Sequence, residues 1–84
     1  MKNTMYLLVR WNSRQNVEES DTELFTTKQE AIQELKNSHK QVIKNMMIIG
    51  RTIEDNDLYE ESYVVGTDSI TFYGRIREIS VERK

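Results

Sequence analysis

The stretch Thr26–Met46, TTKQEAIQELKNSHKQVIKNM, decides the fold of this chain. Thr27 stands three residues before Glu30, which is the spacing of a helix-capping box. Apolar residues then recur at intervals of three and four, as on one face of an α-helix. Gly50 follows as a suitable residue for the helix end. The stretch therefore predicts one long amphipathic helix, with the apolar positions Ile32, Leu35, Val42 and Met46 and with His39 among them.

Segments rich in β-branched and aromatic residues lie on both sides of this helix. Before it, Thr4–Trp11 indicates a strand, and Leu24 with Phe25 indicates either a short strand or a lid. After it, Arg51–Glu61 indicates an acidic connection, and residues 62–82 indicate successive strands with a turn at Gly66–Ser69. We predict a single α+β domain over residues 1–84, with an antiparallel sheet of three or four strands and the helix packed on one face.

Alternation along the strands divides their residues between two faces. We expect the face with the larger apolar set to meet the helix. The opposite face, left uncovered, is then expected to form a homodimer through Tyr6, Leu8 and Tyr73. Gly74 is expected to form a bulge or bend, because the alternation changes phase beyond it: Ile79 and Val81 align with the arginines, whereas Ile76 lies opposite. The predicted core comprises Met5, Leu7, Val9, Ile32, Leu35, Val42, Ile70, Phe72, Ile79 and Val81.

Composition excludes several classes of site. The chain has no cysteine, which rules out disulfides and thiolate metal ligands. No apolar run approaches the roughly 20 residues of a membrane span, and no signal peptide is visible, so we expect a cytoplasmic protein. Phosphate-binding loops, dinucleotide fingerprints and catalytic motifs are absent from the sequence. We therefore expect no enzyme activity, no cofactor and no metal.

The segment SITFYGRIREIS, residues 69–80, combines aromatic and basic residues. RNA-binding sheets present aromatic side chains that stack on bases beside basic residues, so a nucleic-acid-binding module using Tyr73–Arg77 is one alternative function. Tyrosine also favours strands for packing reasons alone, and the net charge of −2 does not favour nucleic acid. We prefer the structural interpretation and expect no nucleic-acid partner.

His39 is the single histidine and supports another alternative, a small enzyme that uses it. Its sequence neighbours supply neither a second metal ligand nor a paired nucleophile. A lone histidine in an apolar helical stripe is more often a packed residue.

Carboxylates cluster in the acidic segment Arg51–Glu61, where they indicate either a solvated loop or a surface for a protein partner. Tyrosines among these acids would anchor the contact. The sequence therefore predicts a small, non-enzymatic binding or regulatory protein, with a partner surface comprising Asp57, Tyr59, Glu60, Glu61 and Tyr63.

Three segments carry a resemblance: MYLLVRW at 5–11, FTTKQEAIQEL at 25–35 and SITFYGRIREISVE at 69–82. Together they resemble small uncharacterised β-α-β-β proteins of Gram-positive bacteria, their phages and mobile elements. The resemblance covers about half of the chain and includes no functional motif. It implies a binder or inhibitor of a host factor, in some cases a defence nuclease, and transfers no site residue.

Overall fold

A computed structural model of the chain describes residues 2–16 and 19–82. It contains one helix and five strands in chain order. They are β1 (Lys2–Asn12), β2 (Asp21–Phe25), α1 (Lys28–Ile48), β3 (Ile53–Leu58), β4 (Ser62–Thr67) and β5 (Thr71–Glu82). The α+β class and the single long helix are confirmed.

All five strands form one antiparallel sheet in the order β2-β1-β5-β4-β3. The predicted count of three or four strands was therefore too low. The missed strand is β3, whose acidic residues Glu54, Asp55 and Asp57 indicated a connection. As an edge strand it pairs with β4 alone, so charged side chains on it remain hydrated and discourage further pairing.

Helix α1 begins and ends at the predicted signals. Thr27 is the N-cap, and its hydroxyl oxygen accepts a hydrogen bond from the Glu30 backbone N–H at 3.2 Å. Gly50 follows the C-terminal end with a φ of 79°, a conformation that glycine adopts without a Cβ penalty. Both predicted end signals are confirmed.

The core lies between α1 and one face of the sheet. Leu35 and Ala31 of α1 are fully buried against Leu8 of β1 and Val65 of β4. Leu8 stands directly opposite Ile76 of β5, so even-numbered positions of these two strands face the helix. The buried hydrophobic residues are Leu8, Ala31, Leu35, Tyr63, Val65 and Ile76, with Ile32, Val42 and Phe72 among those packed against them.

The predicted face assignment of β1 was wrong. Met5, Leu7 and Val9 lie on the sheet face opposite α1, together with Ile79 and Val81, and Leu8 occupies the core instead. The ion pairs of Arg10 help to explain why Leu8 and not Leu7 faces α1, because Arg10 shares the helix-facing side of β1 with Leu8. There it contacts Asp21 at 2.9 Å, Glu23 at 3.3 Å and Glu34 at 3.5 Å.

Gly74 makes room for a buried ring and does not form a bulge. The pairing of β1 with β5 is continuous through Gly74, which stands opposite Arg10 on one side and Tyr63 of β4 on the other. A Cβ atom at Gly74 would overlap the Tyr63 ring. The predicted bulge is therefore wrong, and the absence of a side chain at Gly74 allows Tyr63 to lie over the sheet.

Candidate functional site: the open face of the sheet

The sheet face opposite α1, here called the open face, combines apolar side chains with two arginines. In the β1–β5 pairing, Leu7 is opposite Arg77 and Val9 is opposite Arg75. Leu24 of the edge strand β2 stands beside Leu7 and is 55% exposed. No helix covers this face in the described part of the chain. An apolar sheet face of this kind is typical of an interaction surface.

Two aromatic rings stack on each other at one end of the open face. Trp11 of β1 and Tyr73 of β5 are directly opposed, with ring centroids 5.2 Å apart and an interplanar angle of 15°. Stacked aromatic pairs add to the stability of the strand pair that carries them. This contact removes one side of each ring from contact with a ligand.

The loop after β1 is held by hydrogen bonds to the start of β5 and to Ser69. The Ser13 backbone N–H donates to the Thr71 carbonyl oxygen at 2.9 Å, and the Thr71 N–H donates to the Ser13 hydroxyl at 3.1 Å. Arg14 donates to the Ser69 carbonyl oxygen at 3.2 Å. These contacts position the loop beside the open face.

A pocket of about 340 Å³ lies between this loop and strands β1 and β5. Val9 and Trp11 supply apolar surface, and Arg75 and Arg77 supply positive charge. The loop contributes polar side chains from the other side, namely Gln15, Asn16 and Ser20. The pocket is therefore partly apolar and partly cationic, and it favours a ligand that carries both apolar and negatively charged groups.

Arg75 and Arg77 differ from other arginines of the chain in their partners. Arg10 contacts three carboxylates, and Arg51 lies 3.8 Å from Asp68. Within residues 2–16 and 19–82, Arg75 and Arg77 form no ion pair or side-chain hydrogen bond, and both are exposed. Their guanidinium groups remain available to an external anion.

The residues of the predicted acidic partner surface do not lie together on one surface. Asp57 is on the open face, opposite Val64, and Tyr59 is 59% exposed beside the β3–β4 turn. Glu60 and Glu61 form that turn, and Glu61 contacts Lys28 Nζ at 2.6 Å. The hydrogen bond and charge of Glu61 raise the pKa of Lys28.

Tyr63 lies in the core and cannot take part in a partner contact. It is only 2% exposed, because its position on β4 faces α1. Burial raises the pKa of its hydroxyl above the usual value for tyrosine. The prediction of Tyr63 as a partner residue is wrong, whereas Asp57, Tyr59, Glu60 and Glu61 stay a prediction.

The predicted dimer face mixed residues from both sides of the sheet. Leu8 is fully buried, and Tyr6 packs against the same core, so neither is on the open face. Tyr73 does lie on the open face, next to Trp11. The local sequence has no signal that separates them, because the carboxylates that hold Arg10 on the helix-facing side come from β2 and α1.

His39 has a structural environment. Its side chain is buried, at 9% exposure, and its Nε2 lies 2.7 Å from Oδ1 of Asn56 on β3. Its ring packs edge-on against the Tyr63 ring, with the ring centroids 5.7 Å apart. Among the residues that the structure describes, no three His, Asp or Glu side chains are grouped as a metal site. The geometry accounts for His39 as a link between α1 and the edge strand.

A second apolar surface runs along the C-terminal half of α1. Met47 and Ile48 are 67% and 71% exposed and line a shallow groove of about 510 Å³ with Ile43 and two lysines. Across residues 2–16 and 19–82, no helix has both the length and the apolar character of a membrane span.

Comparison of the chain with protein-family models, with curated proteins and with solved structures finds no match in any of the three.

Proposed function

We propose that this is a small cytoplasmic binding protein without catalytic activity, and that it acts by docking a protein partner on the open face. The main observation that supports this proposal is that uncovered apolar side chains lie beside Arg75 and Arg77. These two arginines lack partners among the described residues. Interfaces are enriched in aromatic residues and arginine, and the open face carries Trp11, Tyr73 and both arginines. The resemblance to phage and mobile-element proteins suggests a bacterial host factor as partner.

The charge of the open face favours a different protein over a second copy of this chain. Arg75 and Arg77 lie on β5, the central strand of the sheet. Two copies packed face to face about their centres would bring these like charges together, which is unfavourable in a desolvated interface. The homodimer therefore becomes the alternative occupant of this face.

The same face is less suited to a nucleic acid. A single strand needs a cationic groove along its backbone and free aromatic surfaces for its bases. The open face offers two unpaired arginines, has Asp57 at its β3 side, and carries aromatic rings already stacked on each other. The lysines of α1 lie on the opposite side of the sheet, so they do not add positive charge to the open face.

Affinity capture from a Gram-positive bacterial lysate tests the proposal. The face variant Leu24→Glu with Val81→Glu changes two exposed residues of the open face, which are 55% and 41% exposed. The control variant Met47→Glu with Ile48→Glu makes the same change in the groove of α1. We expect proteins captured by the wild type and the control to be lost with the face variant.

The opposite pattern, with capture lost only in the control variant, would move the interface to α1. Light scattering on the purified protein provides the second readout. If the wild type is a dimer and the face variant is a monomer, the open face binds a second copy of the chain and not a different protein.

A further inference from the structure

Several basic side chains of this chain contact carboxylates, whereas Arg75 and Arg77 of β5 have no carboxylate partner among the described residues. The sequence has 14 acidic and 12 basic residues, and Arg10, Lys28 and Arg51 all contact carboxylates. Arg75 and Arg77 make no such contact within the described residues, although the chain has an excess of acids. Their isolation is explained by the register of β5, which places Leu7 and Val9 directly beside them.

The spacing of the two arginines defines what they can bind. Residues two apart on one strand share a face and are separated by about 7 Å. Guanidinium groups bind carboxylates through two parallel hydrogen bonds, and these charge-assisted contacts are among the strongest in proteins. The pair therefore matches two carboxylates at a similar separation.

The surroundings of the pair select against a purely charged ligand. Val9 and Trp11 form the apolar part of the same pocket, and Leu7 is the cross-strand neighbour of Arg77. A ligand that fits must bury apolar side chains next to its carboxylates. An acidic and apolar protein segment has both groups. A nucleic acid has bases as its apolar part, and these stack on free aromatic rings, whereas Trp11 and Tyr73 are already stacked on each other.

We propose that Arg75 and Arg77 bind two carboxylates of an acidic, apolar segment of the protein partner, with Trp11 packing against an adjacent apolar side chain. This inference rests on the proposed function and specifies the chemistry of the partner. The segment is recognised by its charge at β5 and by its apolar surface at β1.

A model peptide of leucine and glutamate residues tests the pair without knowledge of the partner. We expect it to shift the NMR signals of the Arg75 and Arg77 Nε–H groups and of the Trp11 indole N–H. A peptide with glutamine in place of glutamate should bind about tenfold more weakly or worse, because each charge-assisted contact is lost. The variant Arg75→Gln with Arg77→Gln should abolish the difference between the peptides.

Three results would overturn the inference: no shift with the glutamate peptide at millimolar concentration, equal binding of both peptides, or tighter binding of oligothymidylate than of the glutamate peptide. The last result would assign the face to nucleic acid. Lysate capture distinguishes this failure from failure of the proposed function. If capture is lost with Leu24→Glu and Val81→Glu but kept with Arg75→Gln and Arg77→Gln, the open face remains the docking surface and the arginine pair does not recognise the segment.

Discussion

At the scale of single residues, the contact between Gly74 and Tyr63 explains how an aromatic ring is buried over the central strands. The ring occupies the space that a Cβ atom at Gly74 would need. We expect Gly74→Ala to lower the free energy of unfolding by about 1–3 kcal/mol, the usual range for overpacking. Urea denaturation followed by circular dichroism measures this change.

Two further variants show whether the Gly74 effect comes from the Tyr63 ring. In a Tyr63→Leu background, Gly74→Ala should have a smaller effect, since the two residues are coupled by direct contact. Gly66→Ala is the control, because the nearest atoms there are Asp55 Oδ2 at 3.0 Å and Asp55 Cβ at 3.2 Å, which is a much smaller overlap than at Gly74. Equal losses from Gly74→Ala in both backgrounds would contradict the account.

The raised pKa of the buried Tyr63 hydroxyl leads us to expect that the stability of the fold depends on pH. Burial raises the pKa of this hydroxyl in the folded protein, an effect opposed by Arg10 and increased by Asp21. A raised folded-state pKa stabilises the protein below the unfolded-state value of about 10, and this stabilisation is lost as the pH rises further. We expect the unfolding free energy to fall above about pH 10, and to fall less steeply in Tyr63→Phe. Parallel curves for the two proteins would contradict this.

Single residues also show where prediction from the sequence stopped. Thr27 and Gly50 were predictable because capping depends on local geometry. The face of β1 was not, because the more apolar set, with Met5, Leu7 and Val9, lies on the open face, and the set that includes Leu8 lies in the core. What separates the two sets is the packing of Arg10 among Asp21, Glu23 and Glu34, which come from β2 and α1.

At the scale of elements, α1 stabilises the sheet through a narrow stripe of buried residues. Leu35 is fully buried at the centre of that stripe, whereas Lys36 on the next position is exposed. We expect Leu35→Ala to lower the unfolding free energy by about 2–5 kcal/mol. Lys36→Ala should change it by less than about 0.5 kcal/mol. Equal, small losses in thermal or urea denaturation would contradict the helix register.

The far ends of β1 and β5 form a ribbon with fewer neighbours. Within the part of the chain that the structure describes, residues 2–5 of β1 and 79–82 of β5 pair only with each other, because β2 and β4 do not extend alongside them. Two-stranded ribbons are marginally stable alone. In hydrogen exchange, we expect the amides of 79–82 to exchange faster than those of 72–76. Equal protection would indicate that another surface covers the ribbon.

Strand β3 shows the limit of prediction for an element. Its sequence, IEDNDL, resembles a loop because charged residues dominate it. Its strand structure comes from pairing with β4, and its exposure follows from its position at the sheet edge. Local sequence cannot supply either fact, since both depend on residues distant in the chain.

At the scale of the whole molecule, one helix covers one side of a five-stranded sheet, and the open face is the consequence. The open face could be predicted as a feature of such a fold, but its residues could not, because the face assignment of β1 was reversed. In the structure, Leu7, Val9 and Trp11 of β1 lie on the same face as Tyr73, Arg75 and Arg77 of β5. The arginines therefore stand beside apolar side chains, and the open face acquires the mixed chemistry of a docking surface.

The binding rate and affinity of a captured partner for three forms of the protein test this claim most directly. The arginine variant is Arg75→Glu with Arg77→Glu. The lysine variant, Lys40→Glu with Lys44→Glu, is its control and makes the same change in net charge on α1. In surface plasmon resonance we expect the arginine variant to bind about 100-fold more weakly, and the lysine variant to stay within about threefold of the wild type, since charge reversal acts where the partner docks. Equal weakening of both variants, or weakening of the control alone, would contradict the assignment of the open face as the binding surface.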